Sequence, residues 1–133
     1  MGGRGASSGI SVSGKAYGTE YRSIYRKENI KFIVQNSKEA VKTPMETRTR
    51  GRVYVTLGRK SKNPVSITYY DGKNRRMKQI DLTHYHDGKK PHVHIGYVHD
   101  ENGNRGLTAK EKRFVTHILK IWYNEYKSDV VQA

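Results

Sequence analysis

Four successive segments between Arg48 and Tyr97 alternate apolar and polar residues with period two, and nothing else in the chain constrains its fold as strongly. Val53, Val55 and Leu57 oppose Arg48, Arg50, Arg52, Tyr54 and Thr56. Val65, Ile67 and Tyr69 oppose Ser66, Thr68 and Tyr70, and Ile80 and Leu82 oppose Gln79, Asp81, Thr83 and Tyr85. In the last segment Val93, Ile95 and Tyr97 oppose His92, His94 and Gly96. Side chains on a strand point alternately to the two faces, so each segment reads as a strand with one apolar and one polar side. Asp71-Gly72, continued by Lys73-Asn74, marks a turn between the second and third. With Lys31-Phe32-Ile33-Val34 as a further short strand, the pattern predicts an antiparallel meander of about five strands.

A sheet with one apolar face needs a cover, and the C-terminal sequence supplies it. Thr108-Ala109-Lys110-Glu111 has the spacing of a capping box, in which hydroxyl and carboxylate each satisfy a free backbone amide. Phe114, Ile118, Ile121 and Trp122 follow at helical spacing, enough to cover the apolar face. Tyr21, Ile24 and Tyr25, at i, i+3 and i+4, predict a second, short helix over residues 19 to 28. The class is α+β, with a flexible Gly/Ser-rich leader over 1–18, one domain over 19–127 and a tail over 128–133.

Charge narrows the partners. The 133 residues carry 26 Lys and Arg against 12 Asp and Glu, a net +14 spread from Arg4 to Lys127. Such a spread on a small domain is the footprint of a polyanion, and RNA fits better than DNA. A protein partner or inhibitor is the other class of interaction, and no membrane-spanning or lipidation signal is present. The N-terminal residues have no apolar run resembling a signal peptide, so the expected compartment is the cytoplasm, that of a bacterial host if the chain is phage-encoded. The absence of cysteine excludes disulfides and thiolate metal sites.

Five of the six histidines, His84, His86, His92, His94 and His99, fall within 16 residues. Imidazole both takes and gives a proton near neutral pH, so this cluster is the candidate reactive centre. Its geometry depends on how Ile80 to Tyr85 pairs with His92 to Tyr97. Pairing His84 with His94 would put four imidazoles on one face but split the aliphatics between faces. Pairing Thr83 with His94 and Tyr85 with His92 sends Ile80, Leu82, Val93 and Ile95 to the core, at roughly 1.5–3 kcal/mol for each side chain buried. The second register is expected, and it leaves His92 and His94 on an open polar face beside Asp81 and Tyr85.

His92, His94, His84, Tyr85 and Asp81 are therefore the candidate catalytic residues. Arg48, Arg50, Arg52, Tyr54, Tyr70, Lys78, Lys89 and Lys90 are the candidate nucleic-acid contacts. Cleavage of RNA by its own 2′-hydroxyl needs a base, an acid and cations around phosphorus, so neither a metal nor another cofactor is expected. The run from Asp81 to His94, a strand, a Gly-containing turn and Pro91-His92-Val93-His94, resembles small nucleases of the barnase, EndoU, colicin and RelE group. These occur as C-terminal domains of phage head-associated proteins and bacterial polymorphic toxins. Gly2-Gly3-Arg4-Gly5-Ala6-Ser7-Ser8-Gly9 with Tyr17-Gly18-Thr19-Glu20-Tyr21 resembles the entry into such phage-encoded domains. The resemblance implies a metal-free endoribonuclease acting from a sheet face that bears His92 and His94.

Two other readings stand beside it. His92-Val93-His94 is similar to the histidine, hydrophobic, histidine metal motif of rolling-circle replication and transposition endonucleases. That motif would pair with a nucleophilic tyrosine on a downstream helix, here Tyr123 or Tyr126, but no third metal ligand is evident. The last reading is non-enzymatic: an accessory protein of a phage or mobile element that binds nucleic acid or a host protein.

Overall fold

The computed structural model describes residues 21–36, 43–47, 49–60, 62–82, 92–97 and 104–126. Among these, seven strands form one sheet in chain order: β1 (Tyr21–Lys27), β2 (Ile30–Gln35), β3 (Val53–Leu57), β4 (Pro64–Tyr70), β5 (Arg76–Asp81), β6 (His92–Ile95) and the two-residue β7 (Asn104–Arg105). Helix α1 (Ala109–Lys120) follows and runs into a π-helical turn, Ile121–Tyr126. The α+β class holds, with more strands than the five expected and with the C-terminal helix in place.

No helix forms at the N-terminal end of the described residues; Tyr21–Lys27 is an edge strand instead. A bulge between Ser23 and Tyr25 explains the misleading spacing. One extra residue in a strand breaks the period of two, so Ile24 and Tyr25 both reach the helix-side core while Tyr21 packs with Ile33 and Tyr54 on the other face. A bulged strand therefore carries an i, i+3, i+4 pattern of apolar side chains.

The meander is also interrupted. β2 and β3 run parallel, with Ile30 opposite Val53 and Val34 opposite Leu57, whereas every other neighbouring pair is antiparallel. Asn29, in the β1–β2 turn, locks the start of this seam: its Nδ2 donates to Gly51 O (2.8 Å) and its carbonyl accepts from Val53 N (3.0 Å). Parallel neighbours cannot be joined by a tight turn, so β2 reaches β3 by a crossover, of which residues 43–47 and 49–52 are described.

The apolar face carries the core as expected. Ile30, Phe32, Val34, Val53, Val55, Leu57, Ile67, Ile80 and Val93 are buried under Ile118, Ile121 and Trp122. The Trp122 ring stacks on Phe32 (5.0 Å) and on Tyr126 (4.4 Å), and Lys27 pairs with Glu125 to tie β1 to the π turn. The capping box forms, with Glu111 N donating to Thr108 Oγ1 (3.1 Å) and Thr108 N donating to Glu111 Oε1 (2.8 Å).

The polar face, expected to be open, is buried. Tyr54, Thr56, Thr68, His92 and His94 are each at most 2% exposed. Part of the cover is the β2–β3 crossover itself. Pro44 O accepts from the Tyr70 hydroxyl, Thr47 Oγ1 bonds the Tyr54 hydroxyl (3.0 Å), and Thr43 Oγ1 donates to Gln79 Oε1 (2.7 Å). A second, smaller apolar cluster of Tyr21, Ile33 and Tyr54 lies within this face, with Tyr70 edge-on to Tyr54.

Candidate functional site

Three side chains converge on the buried polar face because β4, β5 and β6 pair in one row: Ser66 opposite Asp81, and Asp81 opposite His92. His94 Nε2 lies 2.8 Å from Asp81 Oδ2 and 2.8 Å from His92 Nε2, and His92 Nε2 is 3.8 Å from the same carboxylate oxygen. The two imidazoles meet edge to face at 4.5 Å, 77° between planes. All three residues are buried.

The carboxylate is held from behind. Ser66 Oγ (3.0 Å) and Gln79 Nε2 (2.7 Å) both donate to Asp81 Oδ1, which leaves Oδ2 aimed at the imidazoles. Gln79 is itself fixed by Thr43, and Thr43 Oγ1 accepts from Arg76 Nη1 (2.9 Å). A chain of hydrogen bonds thus runs from the crossover through β5 to the histidines. Such a set can orient an imidazole for proton transfer or present three ligand atoms to a cation. The three ligand atoms lie within 4.8 Å of one another.

This corrects two expectations. Asp81 is the third potential metal ligand that the His-x-His motif lacked in the sequence. The register of β5 and β6 has the expected parity, with Ile80 opposite Val93, but His94 faces Gln79, four residues from Thr83. A slide by an even number of residues keeps every side chain on its face, so the burial argument that chose the parity is blind to it. His84, Tyr85, Lys89, Lys90 and Arg48 lie outside the described residues. Tyr123 and Tyr126, the possible nucleophiles of the metal-endonuclease reading, sit under the opposite face: Tyr126 stacks on Trp122, and the Tyr123 hydroxyl donates to Asn63 Oδ1 (2.9 Å). They do not meet His92 and His94.

The nucleic-acid candidates fall into two sets. Tyr54 is buried at the crossover, not available on an open face for stacking, and Arg50 is exposed with Nη2 donating to Gly72 O (3.2 Å) in the β4–β5 turn. Arg52 and Lys78 instead line a cleft of about 860 Å³, where α1 overhangs the ends of β3, β4 and β5, and Tyr70 borders it although its ring packs on Tyr54. Arg105, Lys110, Arg113 and His117 join them. Lys110, Arg113 and His117 share one helix face at i, i+3 and i+7, a basic stripe readable in the sequence but obscured there by the apolar stripe beside it.

Within the cleft Glu111 is fully engaged. Arg105 donates to both its oxygens (2.7 and 2.8 Å) and Lys78 Nζ to Oε2 (2.9 Å), and these cations with the Thr108 amide hold its carboxyl far below the usual carboxylate range against the opposing effect of burial. Burial, reinforced by the Glu111 charge, pushes the Tyr69 hydroxyl up to about 12, and Lys78 Nζ lies 4.4 Å over the Tyr69 ring. Arg52 is different: it is 7% exposed, and its Nε has no hydrogen-bond partner. No ion pair is formed by Arg52, Lys110 or Arg113 among the described residues.

Family models, curated proteins and solved structures show no match to this chain. No helix among the described residues is long and apolar enough to cross a membrane.

Proposed function

We propose that this protein binds single-stranded nucleic acid, RNA in preference to DNA, with phosphates seated in the cleft between α1 and the sheet. The observation that carries the reading is Arg52. A guanidinium removed from water without a carboxylate partner is costly, and an anion entering the cleft would supply what its Nε lacks. Lys110 and Arg113 add unpaired positive charge, while Tyr69 and Phe114 provide ring faces for bases. The cleft volume lies within the roughly 300–1,000 Å³ of small-ligand sites, so it suits a few unpaired nucleotides and not a duplex.

Binding of a labelled RNA oligonucleotide tests this by fluorescence anisotropy across a salt series. Affinity should fall linearly on a log–log plot, and Lys110→Ala and Arg113→Ala should each lower that slope by about one. A salt-independent affinity, or none, would point to a protein partner.

Strand cleavage is the second reading, favoured by the contact between Asp81, His94 and His92. A carboxylate that orients one imidazole beside a second gives the base and acid that attack by a 2′-hydroxyl needs. Lys78 and Asp81 are three residues apart on β5 and point to opposite faces, about 10 Å along the strand. RNA held in the cleft is thus close to the histidines but separated from them by the sheet, and cleavage requires a strand to reach the covered face. Purified protein should then degrade RNA, and His92→Ala or His94→Ala should abolish it; RNA left intact by the wild type leaves binding alone.

A further inference from the structure

We infer that Asp81, His92 and His94 form a binding site for one divalent transition-metal ion, with zinc the best match. This does not rest on the nucleic-acid reading, since the three residues lie on the face of the sheet opposite α1.

Geometry is the first support. Zinc bonds imidazole nitrogen and carboxylate oxygen at about 2.0–2.2 Å, and a tetrahedral arrangement of such bonds spaces the ligand atoms about 3.3 Å apart. The separations here, 2.8, 2.8 and 3.8 Å, bracket that value. Small rotations of the rings would equalise them around a central ion.

Proton accounting is the second support. His94 Nε2 has either one hydrogen or one lone pair in the ring plane, yet it stands 2.8 Å from two atoms, His92 Nε2 and Asp81 Oδ2. A single N–H serves both only as a bifurcated donor. A cation at the centre is met by all three lone pairs directly.

The surroundings are those of a metal site. Ser66 and Gln79 fix the carboxylate through Oδ1 and leave Oδ2 for the ion, the kind of outer support that sets ligand orientation. Two imidazoles with one carboxylate prefer zinc, cobalt or nickel to magnesium or calcium, which take oxygen donors. Burial of all three residues implies an ion that exchanges slowly with solvent.

The test uses the full chain, stripped with chelator and dialysed, with circular dichroism to confirm folding. Zinc titrated by calorimetry, with metal content measured by mass spectrometry, should saturate at one ion per chain. Asp81→Asn and His94→Gln should abolish that binding, Gln79→Ala should weaken it about 10- to 100-fold, and Glu28→Gln, at an exposed carboxylate of the β1–β2 turn, should leave it unchanged. Cobalt in place of zinc should give the intense visible bands of a four-coordinate ion. Zinc binding that survives in Asp81→Asn or disappears in Glu28→Gln overturns the site, as does a folded wild type that binds no zinc. Should His94→Gln fail to fold, cobalt in the wild type decides alone: the weak spectrum of a six-coordinate aqua ion refutes the proposal.

Discussion

Two carboxylates, Glu111 and Asp81, are buried on opposite faces of the same sheet, 5% and 3% exposed, and are met by different company. Glu111 accepts from a forked guanidinium, an ammonium and a backbone amide, all fixed donors with no second state to adopt. Asp81 accepts from a hydroxyl and an amide on one oxygen and faces two imidazoles with the other. Imidazole can donate, accept, carry charge or bind metal. The difference separates a carboxylate that anchors architecture, joining α1 to β5 and β7, from one whose second oxygen faces only groups able to change state. Burial alone does not distinguish them; the chemical versatility of the partners does.

The largest effect that would sharpen this contrast is on stability. Glu111→Ala removes half of the capping box and the acceptor shared by Arg105 and Lys78, and should cost about 3 kcal/mol in urea denaturation. A loss below about 1 kcal/mol would deny the anchoring role. Acid offers the next test. The folded-state pKa of Glu111 is depressed, so its stabilisation is complete above the unfolded value of about 4.3 and is lost as pH falls toward the folded value. The stability difference between wild type and Glu111→Gln should therefore be flat from about pH 8 to 5 and shrink below about pH 4.

Asp81→Asn should be milder, about 1 kcal/mol, because the amide oxygen still accepts from Ser66 and Gln79 while its NH2 can face a His94 lone pair. A cost equal to that of Glu111→Ala would make Asp81 architectural and erase the contrast. Thr43→Val should be smallest, about 0.5 kcal/mol, since Gln79 keeps its bond to Asp81 and Arg76 keeps its bond to Tyr97 O (2.7 Å).

Where one local rule decided the outcome, the sequence was legible. Period two located β3, β4, β5 and β6, the Thr108–Glu111 box located α1, and aliphatic burial chose the parity that places His92 and His94 on one face with Asp81. What escaped is long-range. The parallel seam between β2 and β3 depends on Asn29 meeting Gly51 and Val53, a contact no local pattern announces. The seam in turn sends Thr43, Pro44 and Thr47 across a face that alternation alone reads as solvent-facing. At β1 two local rules conflicted, and the bulge at Ser23 and Tyr25 imitated a helix. The cleft was half legible: Arg52, Tyr70 and Lys78 were grouped by their residue types, but on an open sheet face, whereas they border a cleft beside the helix.

The β2–β3 seam also sets the order in which this molecule can assemble. On one side of it lies a hairpin closed by a short turn, and on the other a run of antiparallel neighbours built largely from contacts near in sequence. Both can form early, because closing a short loop costs little entropy. Joining them requires the crossover to be laid down, and the same event covers Tyr54, Tyr70 and Gln79. The seam is thus a folding checkpoint: until it closes, Tyr54 and Tyr70 have no roof, and Gln79, which holds the Asp81 carboxylate, lacks its bond to Thr43.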